Sequence, residues 1–566
     1  MRAMELYDRH AGKLRLARDA CRQRGYFTLF AETPDRHPAG GEGLNAGKAS
    51  FEALLGKAFQ LDQPGQQDRA GEEVSPYLLK PLGIDYPLCN ADVLFEAAES
   101  AMRPWMAAHP AVRLGLCMEV VDRLYQDVFV STQAVMHTAG QSLPMSYAGS
   151  GANALDRGVE ALSYAEAAML DVPDRATWER RFGSSTIRLD KRYRLVPRGV
   201  AVCFSCASFP TWNAYPAMLA SLATGNAVIL KPHPGSVLPM ALAVRHFREV
   251  LAENGFSPDL VTLCLDTQAE PIGKRLVCHP KAAIVDFTGS AAFGAWVEAH
   301  APPRLCYTET SGTNNVVIES CESMDAVVKS LATTMSLFSA QMCTSPQNIY
   351  LPRGGVACGE GRVSAAEFAE ALGNAMSALA NDPRRAGGIL AAIQAPATLD
   401  LVERISRESA QRARVVREPA PYLHPDYPRA RTCSPLLVSL TPAEQDLYAE
   451  ERFGPIGFVI ECEDAAEALG RASGDARRSG AITAFAYSVN EDFLDRAEEA
   501  FAGAGAQLTC NLTGPMPLNF AAAYSDYHVT GLNPAGNATL TDLAFVASRF
   551  RITQSRRPAS RAEEAT

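Results

Sequence analysis

Apolar and polar positions follow different periods in successive parts of the chain. After about residue 90, apolar residues recur at spacings of three and four, which is typical of amphipathic helices. Near residue 177 the pattern changes, and Ser185–Asp190 alternates as an exposed strand does. The helices predicted before this change are Ala91–Ala108, Val112–Phe129 and Arg157–Leu170.

Short apolar runs after residue 197 suit buried parallel strands, because both faces of such strands are covered. Helical stretches separate these runs, and this alternation predicts an α/β sheet with right-handed crossover connections. The predicted strands are Val200–Phe204, Ala227–Leu230 and Ala282–Phe287, and the helices between them are Ala214–Ala223 and Met240–Asn254.

A second α/β region extends from about 313 to 500, and a chain of 566 residues is expected to contain two or three domains. Before about residue 90, helical pieces such as Met4–Arg24 mix with Pro- and Gly-rich connections, which indicates an extension packed on a larger body. In the second region the predicted strands are Asn315–Ile318, Asn348–Leu351, Pro435–Ser439, Ile456–Glu461 and Ile482–Tyr487, and the helices are Met324–Ser339, Ala365–Ala380 and Asn490–Ala502.

Composition narrows the class of protein. A formal charge of −10 argues against a nucleic-acid partner, since phosphate recognition needs clustered Lys and Arg, and the run Arg549–Arg561 is interpreted as a solvated tail. A polar start and the lack of an apolar run of about 18 residues predict a cytoplasmic protein without a membrane segment. Cys203 and Cys206 form a CxxC pair with no second pair of ligands, so no metal site is expected.

Cys343 and Glu309 are the strongest candidates for chemistry. A deprotonated thiol is a strong nucleophile, and a nearby carboxylate can activate the thiol or the water that later hydrolyses a thioester. Small residues surround Glu309 in the sequence, as a crowded site requires. The alternative for Cys343 is a small buried hydrophobic residue, and the alternative for Glu309 is a surface carboxylate.

Six separated motifs resemble the aldehyde dehydrogenase superfamily, and they occur in the family's order. Each motif is weak alone, whereas six in order across roughly 95–550 are specific. The N-terminal extension and the segment 205–213 most resemble the PaaN-type enzymes of phenylacetic acid degradation. The motifs are Val196–Val202, Ala223–Pro232, Phe287–Ser290, Tyr307–Gly312, Ser339–Ser345 and Glu450–Pro455.

The resemblance implies a Rossmann-like cofactor domain, a catalytic α/β domain and strands that bridge subunits. Exposed alternating strands leave unpaired edges, so a homodimer or homotetramer is expected. The implied boundaries are an N-terminal extension (1–94), the NAD(P)-binding domain (95–176 and 197–308), the catalytic domain (309–505), bridging elements (177–196 and 506–552) and a flexible tail (553–566).

The resemblance also implies a reaction. Cys343 would attack the aldehyde, a nicotinamide would accept hydride, and water deprotonated by Glu309 would hydrolyse the resulting thioester. Ser208 stands where the family has an asparagine that helps to hold the oxyanion, and losing such a donor costs roughly 10²–10³ in rate. Asn213 is a candidate to compensate, and Ala217 replaces a lysine that could relay protons.

Cofactor contacts follow from the same resemblance. Lys231 would meet the adenosine ribose, and Gly289 and Ser290 would begin the helix beneath the pyrophosphate. An ordinary strand-to-helix turn with Ser290 as N-cap would look the same locally. Glu451 would hold the nicotinamide ribose, and Phe453 would lie beside the nicotinamide ring or pack in the core.

Pro234 stands where the family usually has an acid. A carboxylate there accepts the ribose 2′-hydroxyl of NAD and repels the 2′-phosphate of NADP. Pro234 removes that repulsion and His233 adds a weak positive partner, so NADP is predicted to be accepted and slightly favoured. The alternative is that the loop changes path and NAD still dominates.

The leading hypothesis is an NAD(P)-dependent aldehyde dehydrogenase whose substrate is a semialdehyde formed after aromatic ring opening, either free or as a CoA thioester. A CoA-acylating dehydrogenase is the first alternative, although such members generally lack the general-base glutamate. The second alternative is a degenerate binding or scaffold protein, which Ser208 and Ala217 suggest and the intact Cys343 and Glu309 oppose. The segment 517–523 lacks the family's Gly-rich signature, so the substrate pocket is not assigned.

Overall fold

The computed structural model describes residues 2–539 and 543–559. Its α-helices are α1 (Arg2–Gln23), α2 (Gly40–Glu52), α3 (Ala91–Ala107), α4 (Pro110–Gln126), α5 (Val128–Ala139), α6 (Leu143–Tyr147), α7 (Ala154–Leu170), α8 (Ala214–Ala223), α9 (Leu238–Glu253), α10 (Gly273–Cys278), α11 (Ala291–His300), α12 (Met324–Ser336), α13 (Ala365–Ala380), α14 (Pro383–Ile389), α15 (Pro396–Arg412), α16 (Gln445–Tyr448), α17 (Ala465–Ser479), α18 (Glu491–Ala504) and α19 (Leu543–Ala547).

Within residues 2–539 and 543–559 the strands group into six sheets. In chain order they are β1 (Gln66–Ala70), β2 (Val74–Ser75), β3 (Lys80–Pro81), β4 (Tyr86–Cys89), β5 (Arg175–Phe182), β6 (Ser185–Pro197), β7 (Val200–Phe204), β8 (Ala227–Lys231), β9 (Val261–Leu263), β10 (Ala282–Thr288), β11 (Leu305–Glu309), β12 (Asn314–Ile318), β13 (Ser320–Cys321), β14 (Pro346–Pro352), β15 (Val356–Cys358), β16 (Gly361–Val363), β17 (Arg414–Arg417), β18 (Leu436–Leu440), β19 (Ile456–Cys462), β20 (Thr483–Tyr487), β21 (Gln507–Cys510) and β22 (Phe550–Pro558).

Five parallel strands form the first large sheet, in the order β11-β10-β7-β8-β9. Every residue of β7 and β8 is buried, because helices lie against this sheet and close off its apolar strands. The three apolar runs predicted after residue 197 all form strands of this sheet. The α/β prediction is therefore confirmed in this half of the chain.

The second large sheet has seven strands, in the order β17-β18-β19-β14-β12-β20-β21. β17 is antiparallel to its neighbour, and the other neighbouring pairs are parallel. Helices α12 and α13 share a hydrophobic core with one face, and α15, α17 and α18 share a core with the other. The predicted second α/β region is thus confirmed as a sheet covered on both sides.

Two predicted helices end earlier than their apolar periodicity indicated. The helix predicted at Val112–Phe129 is divided between α4 and α5, because Asp127 leaves the helical conformation with a ψ of 15°. The helix predicted at Met324–Ser339 ends at Ser336, and left-handed residues follow it. Apolar spacing does not register such a change of backbone conformation, so it could not locate these boundaries.

A three-stranded antiparallel sheet, β22-β6-β5, projects its residues mostly into solvent. The alternating strand predicted at Ser185–Asp190 is confirmed as part of β6. Its C-terminal partner lies later than the range 506–552 implied, since β22 continues to Pro558. Residues 553–558 are therefore strand and not flexible tail, while residues 560–566 of the predicted tail lie outside the described residues.

The first 90 residues pack on the helices beside the five-stranded sheet. Helix α1 contacts α4 and α7, and its Leu14 and Ala17 side chains are fully buried in the same core as β7 and β8. Glu73 accepts hydrogen bonds from the N–H groups of Val237 (2.6 Å) and Leu238 (2.8 Å) at the start of α9. An acid is stabilising there because a helix N-terminus carries unpaired N–H groups.

No helix within residues 2–539 and 543–559 is both long enough and apolar enough to cross a membrane.

Candidate active site

A cavity of about 1110 Å³ opens where the strands of the five-stranded sheet end. Phe204, Lys231 and Thr288 line it, and each is the last residue of a parallel strand. Crevices at the carboxyl ends of parallel strands are the usual place for ligands in α/β sheets. The cavity also contains Cys343, which brings the two large sheets together around one site.

Cys343 follows a strained turn. Phe338, Ser339 and Ala340 all have φ near +50°, a left-handed conformation that costs roughly 1–3 kcal/mol for each residue that is not glycine. Side chains hold this turn in place: Ser339 Oγ donates to Leu390 O (2.9 Å), and Gln341 Nε2 donates to the Phe338 carbonyl (3.1 Å). The turn that positions Cys343 therefore has a conformation that depends on tertiary contacts.

Asn314, the first residue of β12, fixes the backbone around Cys343. Its Nδ2 donates to the carbonyl oxygens of Cys343 (2.8 Å) and Ser345 (2.9 Å), and its Oδ1 accepts from the N–H groups of Ile482 (2.9 Å) and Thr483 (3.0 Å). One side chain thus connects the cysteine loop to two strands of the seven-stranded sheet. Cys343 itself lines the cavity.

Glu309 ends β11 and is fully buried. Its Oε1 accepts a hydrogen bond from Asn213 Nδ2 (3.0 Å) and lies 3.1 Å from His528 Nε2. Its Oε2 has no hydrogen-bond partner within the described chain. Glu309 is therefore enclosed behind Asn213 and His528, which are the side chains that reach the cavity.

Asn213 contacts Glu309, and its suggested compensation for the missing oxyanion donor stays a prediction. It precedes α8 but makes no side-chain bond to that helix, because its amide is directed at Glu309. Ser208 lines the cavity, and its carbonyl accepts a hydrogen bond from Gln141 Nε2 (2.7 Å). Its role as the oxyanion donor stays a prediction.

His528 was not found by sequence reasoning. Its Nε2 lies 3.4 Å from Cys343 Sγ, its ring makes an edge contact with Trp212, and only 4% of the residue is exposed. A lone histidine in a segment without a recognisable motif carries no signal that spacing could reveal. The backbone brings it in: Thr310 N–H donates to Ala535 O (2.7 Å), and Asn537 binds both the N–H and the carbonyl of Thr308.

The Cys343 thiol has an unfavourable electrostatic environment for ionisation. Burial raises the pKa of Cys343 well above its usual value, and the nearby Glu309, Cys206 and Glu451 raise it further because each carries or can carry negative charge. A thiol in this position needs a positive partner or a base before it can attack an electrophile.

Lys231 and Asp266 form an ion pair on the other side of the cavity. Lys231 Nζ lies 2.6 Å from Asp266 Oδ1, and both residues are buried and line the cavity. Asp266 follows β9, the neighbour of β8 in the sheet, so an acid does reach Lys231, although not from position 234. Pro234 lies in the turn before α9, and the exposed His233 accepts a hydrogen bond from the Gly235 N–H (3.1 Å).

The remaining predicted cofactor residues line the same cavity. Gly289 and Ser290 connect β10 to α11, and Ser290 Oγ caps this helix by accepting from Phe293 N–H (3.4 Å). Glu451 accepts a hydrogen bond from Ser311, and removal from water raises the pKa of Glu451 to about 7 despite that bond. Phe453 also faces the cavity. The structure thus brings eight of the predicted site residues to one cavity, while their roles stay predictions. They are Ser208, Lys231, His233, Gly289, Ser290, Cys343, Glu451 and Phe453.

A model of the aldehyde dehydrogenase family matches residues 85–486, which is most of the chain. The chain belongs to the aldehyde dehydrogenase family. The predicted superfamily and its α/β fold are therefore confirmed.

Solved structures and curated relatives agree with this membership. The structure of an NAD-dependent aldehyde dehydrogenase from Burkholderia multivorans is 40% identical, covers 98% of this chain and 99% of its own, and has a TM-score of 0.96. A 1-pyrroline-5-carboxylate dehydrogenase from Thermus with bound NAD is 17% identical, covers 94% and 99% of the two chains, and with a TM-score of 0.73 shows likeness of fold. The 1-pyrroline-5-carboxylate dehydrogenase 2 of Halalkalibacterium halodurans is 26% identical over a match that covers 56% of the present chain and 61% of its own length. This sequence match thus spans less than two thirds of the curated relative.

Proposed function

We propose that this member of the family oxidises an aldehyde to a carboxylic acid with a nicotinamide dinucleotide as hydride acceptor. The observation that carries the proposal is one shared cavity, which holds the nucleophile candidate Cys343 together with Lys231, Ser290 and Glu451. A reaction that joins a thiol, an aldehyde and a dinucleotide needs such a common space.

The donor set suits a dinucleotide. Lys231 can bind ribose hydroxyls, the start of α11 offers N–H groups to a pyrophosphate, and Glu451 can accept from a second ribose. Phe453 supplies an apolar surface for a flat ring. When bound, the nicotinamide accepts hydride from the carbon that Cys343 has attacked.

We propose NAD as the preferred cofactor, and this revises the sequence-based preference for NADP. Asp266 supplies a buried carboxylate beside Lys231 at the place where Pro234 leaves one missing. Its negative charge opposes a 2′-phosphate and also neutralises the lysine that such a phosphate would need. The 40% identical relative from Burkholderia multivorans is named as NAD-dependent, which supports the same choice.

Cys343 and Glu309 act in different steps of the proposed reaction. The Cys343 thiolate adds to the aldehyde carbon, and after hydride leaves that carbon an acyl thioester remains on the sulfur. Glu309 then takes a proton from water, the hydroxide adds to the thioester carbonyl, and the thiolate departs as the acid is released. The Cys343 N–H and Ser208 are the proposed donors for the oxyanion in both additions.

The cavity favours an aldehyde with apolar bulk. Its lining includes the apolar side chains of Met145, Phe209, Trp212 and Phe520. The basic residues in the described lining are Lys231, His233, Lys274 and His528, and the first three lie on the cofactor side. We therefore retain the PaaN-type proposal, in which the substrate is a semialdehyde from aromatic ring cleavage, either free or linked to CoA. The alternative is a small charged substrate of the kind that the names of the pyrroline-carboxylate relatives indicate.

Acyl trapping tests the proposed reaction. Glu309→Gln is expected to bind aldehyde and oxidised cofactor, complete one hydride transfer and retain acyl mass on the peptide that contains Cys343. Wild-type protein should release the acid, and Cys343→Ser should give neither cofactor reduction nor adduct. Straight-chain, aromatic and CoA-linked semialdehydes form the substrate panel. If wild-type protein neither reduces cofactor nor forms an adduct with any of them, the proposed function is wrong and a binding or scaffold role replaces it.

A CoA-acylating reaction is the second candidate, because the cavity is large enough for a bulky thiol. Free CoA would then clear the thioester in place of water, and the product would be an acyl-CoA. Product analysis with and without free CoA separates the two reactions. The intact Glu309 supports hydrolysis.

We further propose that copies of the chain associate through the β22-β6-β5 sheet as a homodimer or homotetramer in the cytoplasm. The exposed edges and faces of that sheet support association, because unpaired strand edges readily pair with another chain.

A further inference from the structure

His528 lies between the two groups that the proposed reaction needs, although no family motif contains it. Its Nε2 is 3.4 Å from Cys343 Sγ and 3.1 Å from Glu309 Oε1. Both polar contacts of the ring are made through this one nitrogen, and Nδ1 has no hydrogen-bond partner in the described chain. A proton on Nε2 would therefore face the nucleophile and the carboxylate at the same time.

The carboxylates and thiol that act on Cys343 all oppose its ionisation, whereas His528 is a base in contact with the thiol. Glu309 at the end of β11, Cys206 after β7 and Glu451 before β19 all disfavour a thiolate at Cys343. None of these three can offset the negative charge that forms when the thiol ionises. An imidazolium at 3.4 Å can do so, because opposite charges attract strongly where water is excluded.

Contacts with neighbouring side chains and backbone fix the position of His528. The rings of Trp212 and His528 make a T-shaped contact with 5.9 Å between their centres, and Arg157 of α7 lies over the Trp212 ring at 5.3 Å from its centre. The segment after the histidine is bound to β11 through a bridge between Gly536 and Glu309. The loop that carries His528 and the strand that carries Glu309 therefore hold each other in register.

We propose that His528 is a further catalytic residue, which takes the proton of the Cys343 thiol and returns it when the thiolate leaves the acyl group. This inference rests on the proposed function for its place in the reaction. His528 begins with its proton on Nδ1, and the thiol proton moves from Sγ to Nε2, which leaves a thiolate and an imidazolium. Glu309 stabilises the imidazolium through Oε1. After hydrolysis the Nε2 proton returns to Sγ, so that the proton count of the pair is restored.

This assignment also explains how an enclosed Glu309 takes part. Glu309 is 0% exposed, and it contacts the cavity-lining side chains His528 and Asn213. The positive ring then lies beside Glu309 Oε1, on the carboxylate that is proposed to deprotonate water. The histidine thereby serves the thiol in the first half of the reaction and the carboxylate in the second.

Alkylation of Cys343 by iodoacetamide tests the proposal without aldehyde or cofactor. The rate is followed by peptide mass from pH 5.5 to 10 in the full-length protein. In His528→Gln the rate at pH 7 should fall about tenfold or more, and its midpoint should move up by about one pH unit or more, because glutamine donates a hydrogen bond but cannot take a proton. His137→Gln is the matched control, since His137 is equally buried and lies outside the cavity. It should leave both values unchanged.

Free imidazole adds a readout that a purely structural role would not move. In His528→Ala it should restore much of the alkylation rate at pH 7, whereas His137→Ala should not respond. An unchanged alkylation midpoint in His528→Gln would overturn the proposal.

The wild-type protein keeps the proposal testable if these variants do not fold. Its Cys343 should alkylate with a midpoint at or below about 8.5, the ordinary value for a thiol, despite its burial; a midpoint above about 9.5 would contradict a thiolate–imidazolium pair. Because this assay needs no turnover, it separates failure of the histidine assignment from failure of the proposed oxidation. Loss of acyl trapping with an intact alkylation profile would count only against the latter.

Discussion

At the scale of single residues, Asp266 shows how a carboxylate can reach a site from a neighbouring strand. The family places its cofactor-selecting acid three positions after the lysine, where this chain has Pro234. Asp266 follows the next strand of the sheet and still comes within 2.6 Å of Lys231. An acid thus reaches Lys231 from a residue that is 35 positions away in the sequence (266 − 231) and not from position 234.

Asp266→Ser should shift the cofactor preference toward NADP. The substitution removes a negative charge and leaves Lys231 free to pair with a 2′-phosphate, so the ratio of kcat/KM for NADP to that for NAD should rise about tenfold or more. Steady-state kinetics with both cofactors measure the ratio. Glu270→Gln is the control, because this exposed acid lies in the same loop but outside the cavity lining. An unchanged ratio in Asp266→Ser would show that Asp266 does not select the cofactor.

At the scale of elements, the loop after residue 511 completes the site by pairing with the end of β11. Thr308, Glu309 and Thr310 all exchange backbone or bridging contacts with residues 534–537. Gly536 makes this approach possible, since an added Cβ would lie 2.8 Å from the Thr308 carbonyl and 2.5 Å from Val529 Cγ1. These contacts position His528, which sits one residue before Val529.

Gly536→Ala should therefore disturb the site strongly, although the substitution adds only one methyl group. Separating the loop from β11 should cost about 1–3 kcal/mol of stability, as overpacking does elsewhere, and should lower kcat by moving His528 from Cys343. Thermal unfolding and steady-state kinetics measure the two effects. Gly470→Ala is the control: the residue lies exposed in α17, nothing approaches its added Cβ within 4 Å, and alanine favours a helix. If the Gly536 variant matches this control in both measurements, the close approach is not needed.

At the scale of the whole molecule, buried carboxyls tie the N-terminal segment to the rest of the chain. Asp156 of α7 accepts hydrogen bonds from Thr28 Oγ1 (2.6 Å), Leu29 N–H (2.9 Å) and Tyr524 OH (2.8 Å). Burial raises the pKa of Asp156 to about 7, and burial likewise raises the pKa of Glu73 to about 7. Both acids connect parts of the chain that are far apart in sequence.

Stability should fall as the pH rises from 6 to 8. Because the folded pKa values are raised, the native state binds more protons than the unfolded state between about pH 4.5 and 7. Stability is therefore lost as the pH rises through this window toward the folded pKa, and about 1.4 kcal/mol of the loss per group falls between pH 6 and 8. Thermal midpoints at the two pH values measure this loss. Asp156→Asn should reduce the difference, while the exposed control Asp400→Asn should not; equal pH dependence in all three proteins would contradict the assignment.

The sequence alone determined the fold class, the family and the nucleophile candidate. Buried strands such as β7 are uniformly apolar, and the motifs around Cys343 and Glu309 are local, so both leave a signal in consecutive residues. Exposure of the strand at Ser185–Asp190 was predictable for the same reason. Helix ends at Gln126 and Ser336 were not, because left-handed or non-helical residues follow them without any change in apolar spacing.

Only the tertiary structure decided what surrounds the nucleophile. The residues that flank Asp266 and His528 in the sequence give no indication of a role for either one. Sheet order brings Asp266 next to Lys231, and loop pairing brings His528 next to Cys343. Electrostatic interactions depend on distance in space and on exclusion of water, and neither is written in the spacing of residues along a chain. Local patterns thus pointed to Cys343 as the candidate nucleophile, and the packing of distant segments determined which groups lie beside it.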